Sequence, residues 1–275
     1  MAETGGKIAV WDVNLPPIEK RIPNVYYYKC DVSDVQSVQK VYSTLKCQVG
    51  PVTLLINNAG ITSGKTVMDL SFDEIEQTVQ VNLLSSFYTI KTCLPDMLAL
   101  KRGYIVTVAS VLGYMSPARL SAYGASKAGL IALHESLTYE LGPPSISPNG
   151  VKTLLVCPGQ LQTGLFKGVK TPSTVFAPEL EPKYVASKVR HAVELGRKGE
   201  LRIPFYGNFL PILRAVPWPI VEIARCISGI DKSMQNFERK SGKLLSKANS
   251  PISGLHESQT DFSNALSYSP LVVRS

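Results

Sequence analysis

Short apolar runs alternate along the chain with longer stretches of helical period. Strands are predicted for the apolar runs at residues 7–11, 25–30, 52–56, 103–109 and 151–157. Between these runs, apolar residues recur at spacings of three and four, as on one face of a helix. Helices are predicted from residue 33, from residue 71, and over residues 81–100, 122–141 and 182–196. Strands alternating with helices predict an α/β fold, a doubly wound parallel sheet covered on both faces.

Two serines are predicted to begin helices. Ser33 has Gln36 three residues later, and Ser71 has Glu74 at the same spacing. This is the pattern of a capping box, in which the two side chains satisfy each other's backbone N–H groups.

Size and charge narrow the classes of protein. With 275 residues and 30.0 kDa, the chain is long enough for one α/β domain. Its formal charge of +8 is concentrated in residues 183–275, which hold 14 Lys/Arg and 7 Asp/Glu. A basic and apolar carboxyl third indicates an anionic membrane surface rather than nucleic acid, and no nucleic-acid motif accompanies it.

The cysteines and the hydropathy pattern indicate a compartment. Five cysteines lie far apart without a C-x-x-C pair, which argues for reduced thiols in a protein that faces the cytosol, and no metal site is expected. Residues 1–7 are polar and do not resemble a signal peptide. No uninterrupted apolar run reaches the roughly 18 residues that a membrane span needs.

The stretch S-V-L-G-Y-M-S-P-A-R-L-S-A-Y-G-A-S-K, residues 110–127, holds the candidate chemistry. Tyr123 and Lys127 are i and i+4, so they share a helix face. An ammonium beside a phenol favours the phenolate, which lowers a pKa that is otherwise about 10. Ser110 would hold a substrate oxygen, and it lacks the flanking glycines of a nucleophile elbow. The alternative is an ordinary surface helix, since Tyr and Lys occur at this spacing on many of them.

Other motifs decide between these two readings. N-N-A-G follows the strand at 52–56, Asn82 stands in V-N-L-L, and Pro158-Gly159 follows the strand at 151–157. Together with Ser110, Tyr123 and Lys127, this ordered set resembles the short-chain dehydrogenase/reductase family over residues 7–199. The resemblance implies a Rossmann-like fold and hydride transfer between a nicotinamide cofactor and an alcohol or ketone.

The resemblance also implies a role for each candidate catalytic residue. Tyr123 would be the general acid/base, and Lys127 would lower its pKa and hold the nicotinamide ribose. Ser110 would orient the substrate oxygen, and Asn82 would keep a water in a proton relay that ends at Lys127. The family is often dimeric or tetrameric through the helices that carry Asn82 and Tyr123, so a homo-oligomer is expected.

The cofactor expected from the resemblance is NAD(H). An acidic residue at the end of the second strand of such a fold binds the adenosine ribose, and Asp12 has that position. NADP(H) would instead require a basic residue there; a strand-end aspartate in solvent is the plain alternative for Asp12. The other positions that match cofactor contacts of the family are Asp31, Val32, Asn57, Asn58, Ala59, Gly60, Pro158, Gly159, Leu161 and Thr163.

One part of the family pattern does not occur in this sequence. A glycine-rich turn should precede the ribose-binding acid by roughly 20 residues, and only eleven residues precede Asp12. Thr4-Gly5-Gly6 precedes a strand rather than a helix and does not fit. The sheet is therefore predicted to lack the first strand and first helix of the family, which leaves an apolar slot between two strands. A sequence without its true amino terminus and a naturally truncated member both explain this pattern.

The chain divides into three predicted parts: an incomplete cofactor-binding domain at 1–202, an apolar and basic segment at 203–247, and a disordered tail at 248–275. Residues 203–230 contain four prolines, Trp218 and spaced charges, which fits short amphipathic pieces in a membrane interface or a docking contact. This segment is similar to the branch of membrane- and lipid-droplet-associated 17-beta-hydroxysteroid and retinol dehydrogenases. The expected location is the cytoplasmic face of the endoplasmic reticulum or a lipid droplet, with the cytosol as the alternative.

The sequence says less about the substrate than about the catalytic residues and the cofactor. Residues 160–182 occupy the family's substrate-covering region, and Phe166, Val175 and Phe176 within it suit a lipophilic alcohol or ketone of the steroid, retinoid or long-chain type. Two alternatives to this dehydrogenase remain. One is a catalytically inactive remnant that binds a membrane surface or a partner, and the other is an NADPH-dependent carbonyl reductase, against which Asp12 argues.

Overall fold

The computed structural model describes residues 6–142, 148–166, 178–231 and 271–274. Within them, seven strands form one sheet in the order β2-β1-β7-β3-β4-β5-β6. The strands are β1 (Ile8–Asp12), β2 (Val25–Lys29), β3 (Leu54–Asn57), β4 (Gly103–Val108), β5 (Val151–Pro158), β6 (Gly199–Ile203) and β7 (Leu271–Arg274). The pairs β1–β2, β3–β4, β4–β5 and β5–β6 are all parallel. The predicted α/β fold is confirmed, and each strand predicted from an apolar run is present within two residues of its predicted ends.

The slot that the sequence predicted beside β1 is filled by the far end of the chain. Strand β7 lies between β1 and β3 and is antiparallel to both: Val273 pairs with Ala9 on one side and with Leu55 on the other. The expectation of a disordered tail is therefore wrong for residues 271–274, and residues 248–270 lie outside the described part. Two unpaired strand edges would leave backbone groups without partners, and L-V-V-R supplies a β-prone strand that satisfies them.

Helices cover both faces of the sheet. They are α1 (Val35–Gln48), α2 (Phe72–Val79), α3 (Ser85–Ala99), α4 (Ser121–Glu140), α5 (Pro182–Glu194), α6 (Leu210–Leu213) and α7 (Trp218–Ser228). On one face, Val38 of α1 and Met97 of α3 are buried with Ile105 of β4. On the other face, Val185 and Val189 of α5 are buried with side chains of β3, β4, β5 and β6. Strands β4 and β5 are buried almost throughout, as expected of central parallel strands.

The two predicted helix starts have different outcomes. The capping box of Ser71 and Glu74 is confirmed, with both reciprocal hydrogen bonds present at the start of α2. The predicted start at Ser33 is wrong, because α1 is capped by Asp34, whose side chain accepts from the backbone N of Gln36. Ser33 instead donates its hydroxyl to Asp31 at 2.6 Å. An aspartate is as good a cap as a serine, so the local pattern did not separate the two.

The segment after β6 forms short helical pieces, as predicted. Phe205–Asn208 is a turn of 3-10 helix, followed by α6 and α7. Leu210 is buried against the body, whereas no residue of α7 is buried. Within the described ranges, none of the helices is both long and apolar enough to cross a membrane.

Candidate active site

The predicted site residues meet at one edge of the sheet. Asn57 ends β3, Ser110 follows β4 by two residues, and Pro158 ends β5. Because these three strands are parallel neighbours, their carboxyl ends lie at the same edge, where ligands bind in open α/β sheets. The Ser110 hydroxyl lies 3.4 Å from the carbonyl of Pro158 and accepts from the backbone N of Leu112 at 3.2 Å. Ser110 is thereby fixed between two strand ends.

Asn82 connects the turn after β3 to helix α4 through hydrogen bonds. It is 1 % exposed and lies in the π-helical stretch Gln80–Leu84 that joins α2 to α3. Its Oδ1 accepts from the backbone N of Ile61 at 2.7 Å, and its Nδ2 donates to the Ile61 carbonyl and to Ser126 Oγ, both at 3.0 Å. π-Helical turns inside helices are frequent at functional sites, since the extra residue re-aims a side chain. The plain interpretation of Asn82 as a solvent-facing helix residue is excluded by its burial.

Gly60 borders the space between Asn82 and the lysine. A Cβ built on Gly60 would lie 3.5 Å from Asn82 Oδ1 and 3.6 Å from Lys127 Nζ. The absence of a side chain at residue 60 therefore leaves a cradle that opens onto both polar atoms. Asn57, at the start of this turn, is anchored to α3, because its buried Oδ1 accepts a hydrogen bond from Thr89 Oγ1 at 2.7 Å.

Tyr123 and Lys127 lie on the first turns of α4, as their spacing predicted. Both are buried, at 5 % and 4 % exposed, and the Lys127 Nζ lies 5.7 Å from the centre of the Tyr123 ring. Nζ donates to the carbonyl of Val108 at 3.0 Å, which anchors the lysine to the end of β4. The ring of Phe166 meets Tyr123 edge to face at 5.5 Å. Phe166 thus covers the tyrosine, while Val175 and Phe176 lie outside the described residues.

Burial dominates the protonation of this pair. It raises the pKa of Tyr123 to about 12, although the hydrogen bond with Ser110 opposes the rise. It lowers the pKa of Lys127 to about 8. The sequence-based expectation that Lys127 lowers the pKa of Tyr123 does not describe this arrangement, because desolvation of each buried group has the larger effect. Tyr123 is therefore a protonated phenol at neutral pH, beside a lysine that still carries its charge.

The predicted adenosine-binding residues lie on the other half of the sheet. Asp12 ends β1, is half-buried, and accepts from the backbone N of Asn14 at 2.8 Å; burial raises the pKa of its carboxyl group. Asp31 follows β2 and is exposed, with its Oδ1 accepting from Ser33 N, while Val32 next to it is buried. The carboxyl ends of β1 and β2 thus present one carboxylate each at the edge that also carries Asn57.

The remaining predicted contacts follow β3 and β5. Asn58 and Ala59 are half-buried in the turn before Gly60. Gly159 approaches Tyr206 so closely that a Cβ would lie 2.8 Å from its hydroxyl oxygen. Leu161 forms a bridge with Leu180, and Thr163 Oγ1 accepts from the backbone N of Leu165 at 3.4 Å. These residues follow the carboxyl ends of β3 and β5, at the edge of the sheet that also carries Ser110.

The arrangement fits the two ends of a dinucleotide better than its middle. The cradle at Gly60 and the Asn82–Lys127 pair suit a nicotinamide ribose, and Asp12 suits an adenosine ribose. Between them lies β7, which runs antiparallel to β1 and β3. Among the described residues, no helix begins at the carboxyl edge beside β7, so none presents an amino-terminal end to a pyrophosphate there.

Comparison with known proteins identifies the family. The family model described as short chain dehydrogenase matches residues 1–173. The chain belongs to the short-chain dehydrogenase family. An uncharacterized oxidoreductase of Saccharomyces cerevisiae is 33 % identical over 229 residues, which are 82 % of this chain and 74 % of that protein. The family and these relatives make the chain a dehydrogenase that acts on CH–OH groups.

Other relatives include retinol dehydrogenases. Retinol dehydrogenase 10-B of Danio rerio is 43 % identical over 173 residues, covering 62 % of this chain and 51 % of that protein. The chain thus aligns with about half the length of this relative. Among solved structures, a short-chain dehydrogenase from Streptomyces avermitilis has a TM-score of 0.59 at 24 % identity, over 75 % of this chain and 82 % of that one. This last likeness supports the short-chain dehydrogenase fold.

Sequence reasoning missed three residues that support the site: Ser126, Arg214 and Arg225. Ser126 Oγ accepts a hydrogen bond from the Asn82 amide and donates one to the Tyr123 carbonyl at 2.7 Å. It therefore links the segment of Asn82 to the turn that carries Tyr123. Its place in Y-G-A-S-K, between the tyrosine and the lysine, was the available signal. Arg214 and Arg225, which were noted only as spaced charges, bind the loop after Ser110. No local pattern predicts those contacts, because about 100 residues separate the partners in sequence.

Proposed function

We propose that the protein transfers a hydride between NAD(H) and a lipophilic alcohol or ketone, with Tyr123 as the general acid/base. The observation that carries the proposal is that Asn82 and Lys127 border the cradle at Gly60, while Tyr123, one turn from Lys127 on α4, is hydrogen-bonded to Ser110. Nicotinamide supplies the hydride acceptor or donor for the carbinol carbon. The residues of this chain would place that carbon and manage the proton on its oxygen.

Tyr123 is protonated at neutral pH, so it has a proton to give to a carbonyl oxygen. Burial raises the pKa of this phenol to about 12 and makes it a weaker acid, so the role requires the nearby charge of Lys127 to offset that rise during the transfer. Ser110, fixed at the end of β4, orients that oxygen. The charge of Lys127 stabilises the phenolate that the donation creates, and the Asn82–Ser126 contact holds α4 in place.

The preference for NAD(H) follows from Asp12. A carboxylate at the end of β1 accepts hydrogen bonds from ribose hydroxyls and repels a 2′-phosphate. A lipophilic substrate is supported by the half-buried apolar cover of Leu165 and Phe166 over the tyrosine. The retinol dehydrogenase relatives agree with that class of substrate.

We also propose that α6 and α7 rest on an anionic lipid surface on the cytosolic side of the endoplasmic reticulum or of a lipid droplet. These helices carry five exposed apolar side chains, Ile212, Trp218, Ile220, Ile223 and Ile227, and the 3-10 turn before α6 adds Phe205 and Phe209. An apolar patch this large on a small domain favours an apolar partner. The net positive charge of residues 183–275 is complementary to anionic headgroups, and an exposed tryptophan suits headgroup depth.

The test is calorimetric titration of NADH into the chain, followed by assays with retinoid, steroid and long-chain alcohols. A second protein carrying an added amino-terminal strand, glycine-rich loop and helix provides the comparison. Micromolar binding by the chain itself, with turnover of a lipophilic alcohol, supports the proposal. If neither protein binds NADH, the alternative of a non-catalytic membrane- or partner-binding protein replaces it; the antiparallel β7 beside Asp12 is the feature that favours this alternative.

A further inference from the structure

The loop between Ser110 and Tyr123 is held from the outside by the carboxyl segment. Arg214, which follows α6, donates from Nε to the carbonyl of Tyr114 and from Nη2 to the carbonyl of Gly113, both at 2.9 Å. A guanidinium fork that meets two successive carbonyls fixes their direction as well as their position.

A second arginine binds the same loop at Ser116, five residues before the start of α4. Arg225 of α7 donates from Nη2 to the carbonyl of Ser116 at 3.1 Å and pairs with Asp231. Asp231 in turn accepts from the backbone N of Ala118 at 3.0 Å. Loop 113–118 is thus bound at four backbone atoms by three charged side chains of the carboxyl segment.

Each arginine binds a part of the loop that touches the catalytic helix closely. A Cβ on Gly113 would lie 2.9 Å from the backbone carbonyl oxygen of Lys127, so Gly113 packs directly on the turn that carries the lysine. A Cβ on Gly124, the neighbour of Tyr123, would lie 2.1 Å from Ser116 Oγ. A displacement of loop 113–118 therefore shifts the Tyr123–Lys127 turn as well, because no free space separates the two.

The faces of α7 are arranged in an unusual way. Its partly buried side includes Arg225, whereas Ile220, Ile223 and Ile227 are exposed at 54 %, 59 % and 82 %. A helix of a water-soluble domain normally turns its isoleucines inward. Here hydrogen bonds of Arg225 fix the helix to the loop, and its apolar side is left for a partner.

We propose that Arg214 and Arg225 are positioning residues that couple contact between α6–α7 and an anionic phospholipid surface to the geometry of loop 113–118. The inference rests on the lipid docking and dehydrogenase activity proposed above. When the isoleucine face is buried in lipid, α7 loses its freedom of motion, and Arg225 on the opposite, partly buried side of the helix is kept in contact with the Ser116 carbonyl. The loop and the Tyr123–Lys127 turn are then held more firmly in the reactive arrangement.

The experiment uses vesicles of equal amounts of phosphatidylcholine and phosphatidylserine with the full chain. Docking is read from the fluorescence of Trp218, which is 73 % exposed, while the only other tryptophan, Trp11, is 1 % exposed and serves as an internal constant. Positioning is read from amide hydrogen exchange in loop 113–118. Turnover is measured with a water-soluble ketone and NADH, so that delivery of a lipid substrate plays no part.

For the unchanged chain we expect a blue shift of Trp218, at least about tenfold slower exchange in the loop, and a kcat increase of up to about tenfold with little change in KM. In Arg214→Ala and Arg225→Ala, Trp218 should still respond, but the protection and the kcat increase should be lost. Arg190→Gln is the matched control, since it removes one exposed charge from α5 far from the loop and should behave like the unchanged chain.

Arg214→Lys shows whether a loss of protection in Arg214→Ala comes from misfolding or from the missing hydrogen bonds. It keeps the charge, but a single ammonium does not reproduce the fork that binds both carbonyls, so Trp218 should respond as in the unchanged chain while loop protection stays below that of the unchanged chain. Equal loop protection in Arg214→Ala, Arg225→Ala and the unchanged chain would overturn the inference, as would the absence of any Trp218 response. Absence of turnover in every variant would contradict the proposed activity alone, since hydrogen exchange decides the positioning role without it.

Discussion

The two halves of the sheet are assembled in different ways. In the catalytic half, β4, α4 and β5 follow one another in residues 103–158, and this stretch contains Ser110, Tyr123 and Lys127. In the cofactor half, β1 and β3 do not touch as a pair but are joined by β7, which comes from the opposite end of the chain. The strands of the first half pair with one another in chain order, and the carboxyl segment adds only side-chain contacts of Arg214 and Arg225 to the loop after Ser110. In the second half, the backbone pairing of β1 itself depends on β7.

Because of this difference, we expect one half to control the rate of the chemical step and the other half to control the affinity for the cofactor. The predicted catalytic residues lie between the end of β3 and the middle of α4, whereas β1 on the adenosine side is held in register by a strand of four residues. Antiparallel pairing on both sides of that strand satisfies the backbone of β1 and β3. We therefore expect changes in the catalytic half to act on turnover, and changes in the cofactor half to act on stability and binding.

The largest effect is expected from Tyr123→Phe. Loss of the phenol removes the general acid and should lower kcat for ketone reduction by about 10³-fold, within the usual range for such a group. The ring and its contact with Phe166 remain, so calorimetric NADH affinity should be unchanged. Retained turnover would show that another group donates the proton.

The next effect is expected from Val272→Pro. A proline in β7 removes an N–H from the middle of the sheet and should lower the free energy of unfolding by ~3 kcal/mol or more. Val272→Thr is the control, because it keeps a β-branched side chain and the N–H group. Urea unfolding curves compare the two, and equal midpoints would mean that β7 does not hold β1 to β3.

Lys127 should make stability depend on pH. Its pKa is about 8 in the folded chain and 10.5 as the ordinary value, so the unfolded chain binds more protons between these two pH values. The free energy of unfolding should therefore rise from pH 8 towards pH 10, by roughly 3 kcal/mol at most. Above pH 10 the raised pKa of Tyr123 acts in the opposite direction. Lys127→Met should remove the rise, and an unchanged pH profile in this variant would assign it to another group.

The smallest effect is expected from Asp12→Ala. Without the carboxylate, the preference for NADH over NADPH should fall by about tenfold, which corresponds to roughly 1.4 kcal/mol. Asp31→Ala is the comparison, since Asp31 is exposed at the end of β2 and should affect the two cofactors equally. Binding titrations with both cofactors decide this, and an unaltered ratio in Asp12→Ala would place ribose recognition elsewhere.

The sequence alone determined the parts that depend on local pattern. Periodicity located the strands and most helices, and the pairing of Ser71 with Glu74 located a helix start. The order of the motifs predicted that Asn82, Ser110, Tyr123 and Lys127 belong to one edge of the sheet. Each of these features is written in neighbouring residues, because strand and helix periods and caps are local properties.

Only the tertiary structure decided what fills the sheet, how the catalytic pair is protonated, and what holds the loop beside it. L-V-V-R is too short and too far from β1 for any pattern to predict their pairing. The raised pKa of Tyr123 arises from burial by distant elements, which outweighs a lysine that is its neighbour in sequence. Arg214 reaches Gly113 across about 100 residues. Burial and long-range pairing depend on how the whole chain closes on itself, and no window of sequence contains that information.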